Sequence, residues 1–526
     1  MRRFQGESII RQAKFGNPPM TAGPLSAIDK LWVLTILITL LVLGCARALP
    51  PNDLWWHARV GEEILDTGRI PQSDAYSLTE RGQPFFYQSW LSEAAMALVL
   101  RLGGVRLLVL VRALVTTGLF GGVLLLCWRA AGGDRRAALP PALAAVVLGL
   151  GNQTVRPQLF AYPLFIATYW LLWRYRRNQA PRAVWWIPVM MAVWVNLHGS
   201  FALGLGLIWL VFFGELLSRA LPSWAGDAPS ASLKALLAVA AISTAAILLN
   251  PRGLDILGYV ADLLTDAPSQ SLGVEWQPPD PTAGLGQTFY VALLASVAAL
   301  ALARPPLPLT DLLLFLGFAW LGAAGVRYVV WFGVVGMPVL ARALTRVPWA
   351  DLARWRDRLA RDVVGQRLIY GDGTGYAGFW RLALITLTLA ALGTTLLLGL
   401  YPDETLWLSP RTGVAAADWM AGNGVGGRLF NELGRGSYLI WRFGPDQPVF
   451  IDPRFEFYSL EHFQNYLKLS KAEVETEALL AEYNFDWLLL DVDSQAALVA
   501  WADGRPGRWQ MLFSDETTRL YRRIQH

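Results

Sequence analysis

Long apolar runs restrict the fold of this sequence more than any other feature. A helix needs about 20 apolar residues to cross roughly 30 Å of bilayer hydrocarbon, and runs of 15 to 24 residues recur along the first 400 positions. Charged residues make up 16% of the chain, whereas a soluble protein carries about 25%. The sequence therefore predicts a polytopic α-helical membrane protein with eleven spans, at residues 31–49, 106–129, 137–151, 157–174, 183–197, 200–219, 233–249, 286–304, 308–323, 326–344 and 379–400.

Basic residues between these runs predict the orientation of the chain. Arg and Lys are enriched in loops that stay in the cytoplasm, and the N-terminal tail, residues 1–30, carries five of them. With that tail inside, alternation places the Arg-rich segment 342–367 inside and residues 401–526 outside. We expect a multi-pass protein of a bacterial inner membrane. Its net charge of +5 then reflects orientation and contact with membrane lipids, and no nucleic-acid partner is expected.

One further segment, residues 88–102, is apolar enough to enter the membrane. If it were a span, every later basic cluster would face outward, against the orientation rule. We interpret it as a helix that lies in the outer leaflet, with Gly103-Gly104 as the hinge into the next span. The alternative is that this segment crosses the bilayer and a weaker segment does not.

The last 126 residues, 401–526, change character. Short strand-like runs alternate there with amphipathic stretches, which is typical of a small α/β domain. The predicted strands are 427–430, 447–451, 486–491, 509–513 and 518–522, and the predicted helices are 411–421, 459–467, 471–482 and 493–502. We therefore expect an extracytoplasmic α/β domain at the C-terminus.

The first external loop, residues 50–87, holds the strongest candidate for chemistry. Asn52 or Asp53 is predicted to cap a helix that Gly68 would end. Asp53 and His57 are separated by four positions, so they share one face of that helix. A carboxylate beside a helix N-terminus stays ionised, which suits a general base or a metal ligand. The alternative is a plain helix cap beside an interfacial Trp pair.

Three arginines lie at the outer ends of different predicted spans: Arg156, Arg252 and Arg327. The planar guanidinium binds phosphate through paired hydrogen bonds. Because these residues share one depth, we expect them to converge on a lipid phosphate. Each one alone could instead be a snorkelling or ion-paired arginine.

A cluster of charges marks the C-terminal domain. Asp452, Arg454 and Glu456 alternate after an apolar strand-like run, and alternate residues of a strand face the same side. This pattern indicates either a salt-bridged structural corner or a group that contacts substrate, and the sequence leaves both open.

This layout resembles the GT-C superfamily of membrane glycosyltransferases, which includes protein O-mannosyltransferases, lipid A aminoarabinose transferases and oligosaccharyltransferase catalytic subunits. Uncharacterised bacterial proteins of this type carry stretches similar to five in this chain, namely Asp53-Leu-Trp-Trp-His57, Gly68-Arg-Ile-Pro-Gln-Ser-Asp74, Arg156-Pro-Gln158, Asn196-Leu-His198-Gly199 and Glu275-Trp-Gln-Pro-Pro. The resemblance implies an inverting transfer of sugar from a polyprenyl-phosphate carrier, with Asp53 as base or metal ligand.

The sequence departs from the better-known GT-C members in two respects. It lacks an adjacent Asp-Glu pair or an Asp-x-Asp motif after the first span, and it lacks the Trp-Trp-Asp-Tyr-Gly signature of oligosaccharyltransferases. The first departure leaves open whether a divalent cation, Mg²⁺ or Mn²⁺, is needed. Asp53 is the expected ligand if a metal binds.

The leading hypothesis is a glycosyltransferase that moves a sugar from a polyprenyl-phosphate-linked donor to a glycan, lipid or protein acceptor at the outer face. Asp53 is the expected catalytic residue, and Arg156, Arg252 and Arg327 are expected to bind the donor phosphate. The sugar or acceptor pocket is predicted to contain His57, Asp74, Glu93, Gln158, Asn196, His198, Glu275 and Trp276. The alternatives are a non-enzymatic membrane assembly protein and a transporter or flippase; an inverted repeat expected for the latter is not seen.

Overall fold

A computed structural model describes residues 27–221, 232–349 and 407–524, together with the isolated positions 385, 388, 389 and 392. In the N-terminal part, thirteen α-helices lie in these ranges: α1 (Ala27–Ala46), α2 (Leu54–Thr67), α3 (Trp90–Ala130), α4 (Arg135–Leu148), α5 (Gln158–Arg176), α6 (Trp186–Trp194), α7 (Phe201–Ala220), α8 (Leu233–Ala246), α9 (Asp255–Thr265), α10 (Ala267–Leu272), α11 (Gly284–Leu302), α12 (Leu309–Ala324) and α13 (Val329–Leu344).

Helices occupy ten of the eleven predicted spans, and the eleventh, 379–400, lies outside the described residues apart from isolated positions. Four helices of the described chain are long and apolar enough to cross a membrane: Trp90–Ala130, Phe201–Ala220, Gly284–Leu302 and Val326–Leu344. Shorter apolar helices cover Val33–Ala46, Leu233–Leu249 and Leu309–Ala324. The protein is thus a helical, multi-pass membrane protein, and the count of eleven crossings stays a prediction.

The hinge between residues 88–102 and the following span is confirmed. Helix α3 is interrupted at Gly103 and at Gly104, where φ is +62°, a left-handed conformation that favours glycine. The stretch before the break packs against α2, and a Cβ at Gly61 would come within 2.0 Å of the Glu93 carbonyl oxygen. This close crossing places α2 directly beside the first turn of α3. The depth of residues 88–102 in the membrane stays a prediction.

The C-terminal part is the predicted α/β domain. Its strands β1 (Leu429–Asn431), β2 (Trp487–Asp491), β3 (Trp509–Ser514) and β4 (Thr518–Arg523) form one sheet in the order β1-β2-β4-β3. Strands β1 and β2 are parallel, and the other two pairs are antiparallel. Five helices accompany the sheet: α14 (Val414–Gly422), α15 (Leu433–Phe443), α16 (Leu460–Ser470), α17 (Thr476–Glu482) and α18 (Ala496–Asp503).

Two details of this domain differ from the sequence prediction. Residues 447–451 are not a strand, because the Asn431 side chain takes the place of a ladder partner: its Oδ1 accepts from Phe450 N at 2.9 Å and its Nδ2 donates to the Ile451 carbonyl at 2.7 Å. Helix α15 was not expected in a segment with two glycines. Gly436 is required there, because a Cβ would come within 2.0 Å of the Ile451 oxygen.

The C-terminal domain is fixed to the loop 50–87 through buried contacts. The Trp56 backbone N–H of α2 donates to the Ser437 hydroxyl of α15 at 3.0 Å. Arg454 Nη1 donates to Asp74 at 2.6 Å, and both side chains are fully buried. These contacts bring the domain next to the helix ends that carry several of the polar residues predicted from the sequence.

Candidate active site

A cavity of about 390 Å³ lies where α2, the ends of several helices and the C-terminal domain meet. Aromatic side chains supply much of its wall. Its ionisable and polar lining includes Asp53, His57, Glu93, Arg156, Gln158, His198, Glu275, Arg327, Arg454 and Glu456, and its aromatic lining includes Trp56, Phe85, Phe86, Tyr87, Tyr259, Trp276, Tyr328 and Trp331. The volume is in the range of small-molecule sites.

Asp53 and Glu275 are joined through Arg156. The Asp53 carboxylate lies 3.0 Å from Arg156 Nε, and Arg156 Nη1 donates to Glu275 at 2.7 Å. Asp53 makes no side-chain capping bond to α2; the Asn52 carboxamide oxygen accepts from Leu54 N instead. The plain-cap interpretation of Asp53 is therefore wrong. Helix α2 ends at Gly68 as expected, with φ +67°.

Burial raises the pKa of the Asp53 carboxyl group, and the adjacent Arg156 guanidinium opposes this rise. The same ion pair raises the pKa of Arg156, so that residue stays charged. A carboxylate with a raised pKa is a better proton acceptor than an ordinary Asp. The arrangement thus combines a base with a permanent positive charge within hydrogen-bonding distance.

Arg327 lines the cavity without a salt bridge to any described residue. Its guanidinium lies 4.0 Å from the centre of the Trp276 ring, a cation–π contact. Among residues of the described ranges, no carboxylate lies within ion-pair distance of it. Arg327 and Trp276 stand on adjoining 3₁₀ turns, which the bond from Val326 N to the Gln277 carbonyl holds together at 2.9 Å. An incoming anion could therefore pair with Arg327 without breaking an existing salt bridge.

The third predicted arginine does not line this cavity. Arg252 packs over the Phe86 ring at 4.6 Å and borders a separate pocket of about 90 Å³. Of the three arginines, Arg156 and Arg327 line one cavity and Arg252 does not. Their convergence on a lipid phosphate stays a prediction. The sequence could not show that an aromatic side chain, Phe86, lies between Arg252 and the cavity.

Two further predicted pocket residues have structural roles. Asn196 accepts a hydrogen bond from Trp90 Nε1 at 2.8 Å and holds the turn between α6 and α7 against α3. Asp74 pairs with Arg454 and accepts from the backbone N–H groups of Tyr76 and Ser77. Neither lines the cavity. They position elements that do.

Two histidines line the cavity. His57 Nδ1 lies 2.9 Å from the Glu93 carboxyl group, and burial holds the pKa of His57 well below its usual range. The neutral ring can carry its proton on either nitrogen at this contact. His198 Nδ1 accepts from Ser200 N at 3.0 Å, so its proton is assigned to Nε2. Burial lowers the pKa of His198 to about 3.

The charged residues Asp452, Arg454 and Glu456 of the C-terminal domain lie in two different surroundings. Arg454 bonds to both oxygens of Asp452, at 2.8 and 2.7 Å, in a fully buried corner. Although burial acts in the other direction, the Arg454 guanidinium lowers the pKa of Asp452. Glu456 lies within the 3₁₀ turn Phe455–Phe457, directly after this corner, and lines the cavity. The turn, rather than the strand expected from the sequence, gives the two acids different surroundings.

Glu456 was not among the predicted site residues. The protein atoms around its carboxyl group raise the pKa of Glu456 to about 7, and the carboxylates of Asp53 and Asp266 add to the rise. Because the residue is exposed, water in the cavity moderates this shift. The sequence did contain one indication of its role. The cluster holds two carboxylates, Asp452 and Glu456, but only one arginine, Arg454, so one carboxylate is left without a partner in the cluster.

The raised pKa of Glu456 predicts a pH dependence of stability. The unfolded chain ionises this group near pH 4.3, whereas the folded chain ionises it near pH 7. Stability is therefore expected to fall as pH rises from about 4.3 to 7, because only the unfolded chain releases the proton there. Thermal unfolding of wild type and Glu456→Gln across this window should show a decline that the variant lacks. Parallel curves would contradict the assignment.

Solved structures resemble the chain, although no protein-family model and no curated protein matches it. Archaeoglobus fulgidus oligosaccharyltransferase tethered to an acceptor peptide matches with TM-score 0.52 and 14% identity, over 95% of this chain and 74% of its own. AglB from the same organism, with an inhibitory peptide and a dolichol-phosphate, gives 0.52 and 14% over 95% and 75%. ArnT from Cupriavidus metallidurans bound to undecaprenyl phosphate gives 0.51 and 12% over 95% and 99%. The chain has a GT-C-like fold, as the sequence predicted.

Proposed function

We propose that the protein is a membrane glycosyltransferase that transfers a sugar from a polyprenyl-phosphate-linked donor to a hydroxyl-bearing acceptor at the outer face. The observation that carries the proposal is the placement of Asp53, Arg156, Glu275 and Arg327 around one cavity of a GT-C-like fold. Two of the matched structures, AglB and ArnT, hold dolichol-phosphate and undecaprenyl phosphate. Such a transfer requires a basic group and an anion-binding group side by side.

The proposed reaction needs one proton acceptor and one site for developing negative charge. The acceptor oxygen attacks the anomeric carbon, the bond from that carbon to the phosphate oxygen breaks, and the phosphate leaves with the electron pair. Asp53 takes the acceptor proton. Arg327 and Arg156 neutralise the charge that grows on the leaving phosphate. His57, His198 and Gln158 offer the acceptor and donor groups that sugar hydroxyls bind.

The C-terminal domain is proposed to form the acceptor side of the cavity. Its residues Pro453, Arg454, Phe455 and Glu456 line the cavity. Glu456 offers a carboxyl group beside Asp53 that can accept a hydrogen bond from the acceptor.

The first experiment is native mass spectrometry of protein purified gently from its own membrane, to look for a bound polyprenyl-phosphate lipid. A retained glycosylated carrier would support the transferase. The protein is also supplied with undecaprenyl-phosphate sugars, and release of undecaprenyl phosphate is measured. If only bulk phospholipid is bound and no undecaprenyl phosphate is released, the membrane assembly protein is favoured instead.

Arg327 and Arg252 provide a matched pair for locating the donor phosphate. Arg327→Ala should weaken binding of undecaprenyl phosphate by about 10- to 100-fold, because a charge-assisted hydrogen bond contributes about 1.5–3 kcal/mol. Arg252→Ala should change it by less than about twofold, because Arg252 faces away from the cavity. Titration of undecaprenyl phosphate by microscale thermophoresis measures both. A larger loss for Arg252→Ala would place the phosphate elsewhere.

A further inference from the structure

The acidic residues that would serve a divalent cation at this centre are already bound to an arginine. Asp53 lies 3.0 Å from Arg156 Nε, and Glu275 lies 2.7 Å from Arg156 Nη1. These two nitrogens are on different edges of the guanidinium group, so the arginine stands between the two carboxylates. The distances are those of charge-assisted contacts.

A divalent cation makes demands that this arrangement does not meet. A cation that bridged Asp53 and Glu275 would need oxygens of both carboxylates around one point, at about 2.0–2.6 Å from Mg²⁺ or Ca²⁺. Among the residues that the structure describes, no group of three or more His, Cys, Asp and Glu side chains could hold a metal ion. The nearest imidazole on the Glu275 side, His198, is assigned a proton on Nε2 and so offers a donor. The residues present do not fit a cation bridging Asp53 and Glu275.

The charge balance points in the same direction. Arg156 carries its positive charge permanently, and its pKa is raised further by Asp53. Arg327 is close enough to Glu275 for its charge to act on that carboxylate. A free divalent cation would have to approach two guanidinium groups and displace one of them from both of its partners.

We propose that the guanidinium of Arg156 takes the place of a divalent cation, so that the centre works with no such metal. This inference rests on the proposed function. Arg156 would fix the orientation of Asp53 and supply a positive charge beside the leaving phosphate, which are two tasks a bound metal performs. The polyprenyl phosphate then leaves with its electron pair beside a guanidinium group that stays charged at all physiological pH values.

The test is a titration of the purified full-length protein with Mn²⁺, followed by the EPR signal of the free ion. Wild type is expected to bind no Mn²⁺ in the cavity. Arg156→Gln should acquire one site, because it frees both carboxylates and removes the competing charge. Arg156→Lys keeps the charge and should remain without one. The double variant Arg156→Gln, Asp53→Asn should lose the acquired site.

Two results would overturn the proposal. One is an Mn²⁺ site in wild type that Asp53→Asn removes, and the other is no gain of binding in a folded Arg156→Gln protein. Thermal unfolding of each variant establishes that it is folded. Because the titration uses Mn²⁺ alone, it decides the question even if the protein releases no undecaprenyl phosphate from any donor, a result that would count against the proposed function itself.

Activity gives a second readout. Release of undecaprenyl phosphate from an undecaprenyl-phosphate sugar should change by less than about twofold when EDTA replaces Mg²⁺. Loss of release in EDTA that Mg²⁺ or Mn²⁺ restores would also overturn the proposal.

Discussion

Replacement of Asp53 by Asn should reduce glycosyl transfer by roughly 10²- to 10⁴-fold, the range that a general base contributes. The amide has nearly the same shape but cannot accept the proton of the acceptor hydroxyl. Arg156 keeps its second partner, Glu275, at 2.7 Å, so the variant should stay folded and should still bind undecaprenyl phosphate. The measurement is release of undecaprenyl phosphate from its sugar-loaded form by purified protein and by native membrane vesicles.

A control for this experiment lies on the same helix. Asp66 is exposed on α2 and pairs with Arg101 at 2.7 Å on the surface. Asp66→Asn should alter transfer by less than about twofold, because an exposed ion pair contributes about 1 kcal/mol or less. If both variants kept the activity of wild type, Asp53 would have no part in the mechanism. If both lost activity to the same extent, the cause would be a general effect of charge on α2.

The sequence predicted most of the fold because the signals involved are local. Apolar runs of span length, an interrupted helix at Gly103-Gly104 and a helix ending at Gly68 each depend on neighbouring residues. The strand at 447–451 was wrong for the opposite reason. Phe450 and Ile451 bond to the side chain of Asn431, and Val449 forms only isolated backbone bridges. A hydrogen bond from a side chain leaves no periodic pattern in the sequence.

The prediction of the site succeeded and failed for the same reasons as the prediction of the fold. Residues on one element were placed correctly relative to each other, as with Asp53 and His57 on α2. Which residues meet across elements depended on packing that the sequence does not show. Phe86 separates Arg252 from the cavity, and a 3₁₀ turn directs Glu456 into it. The charges themselves were visible; their partners were not.

Arg454 explains how the two parts of the site are held together. It is fully buried and pairs with Asp74 of the loop 50–87 and with Asp452 of its own domain. Tyr458 donates a further hydrogen bond to Asp452 at 2.6 Å. The turn that carries Glu456 begins directly after Arg454, so the same side chain that joins the loop to the domain also sets the wall of the cavity.

Removal of this side chain should therefore have the largest effect on stability. Arg454→Met leaves two buried carboxylates without their positive partner, and breaking a buried ion pair in this way costs about 3–5 kcal/mol. Chemical unfolding monitored by tryptophan fluorescence measures the loss. Arg442→Met is the matched control, because Arg442 pairs with Asp418 at 3.3 Å on the surface and should cost about 1 kcal/mol or less.

Adding a second substitution distinguishes the possible causes of the stability loss. In the double variant Asp74→Asn, Arg454→Met, one of the two unpaired charges is gone, so part of the stability lost in Arg454→Met should return. If the loss came instead from the missing contacts of the guanidinium group with the rings of Trp56, Phe85 and Phe457, the double variant would be no more stable than the single one. Recovery would show that the loop and the domain are joined by charge, and that the cavity between them depends on it.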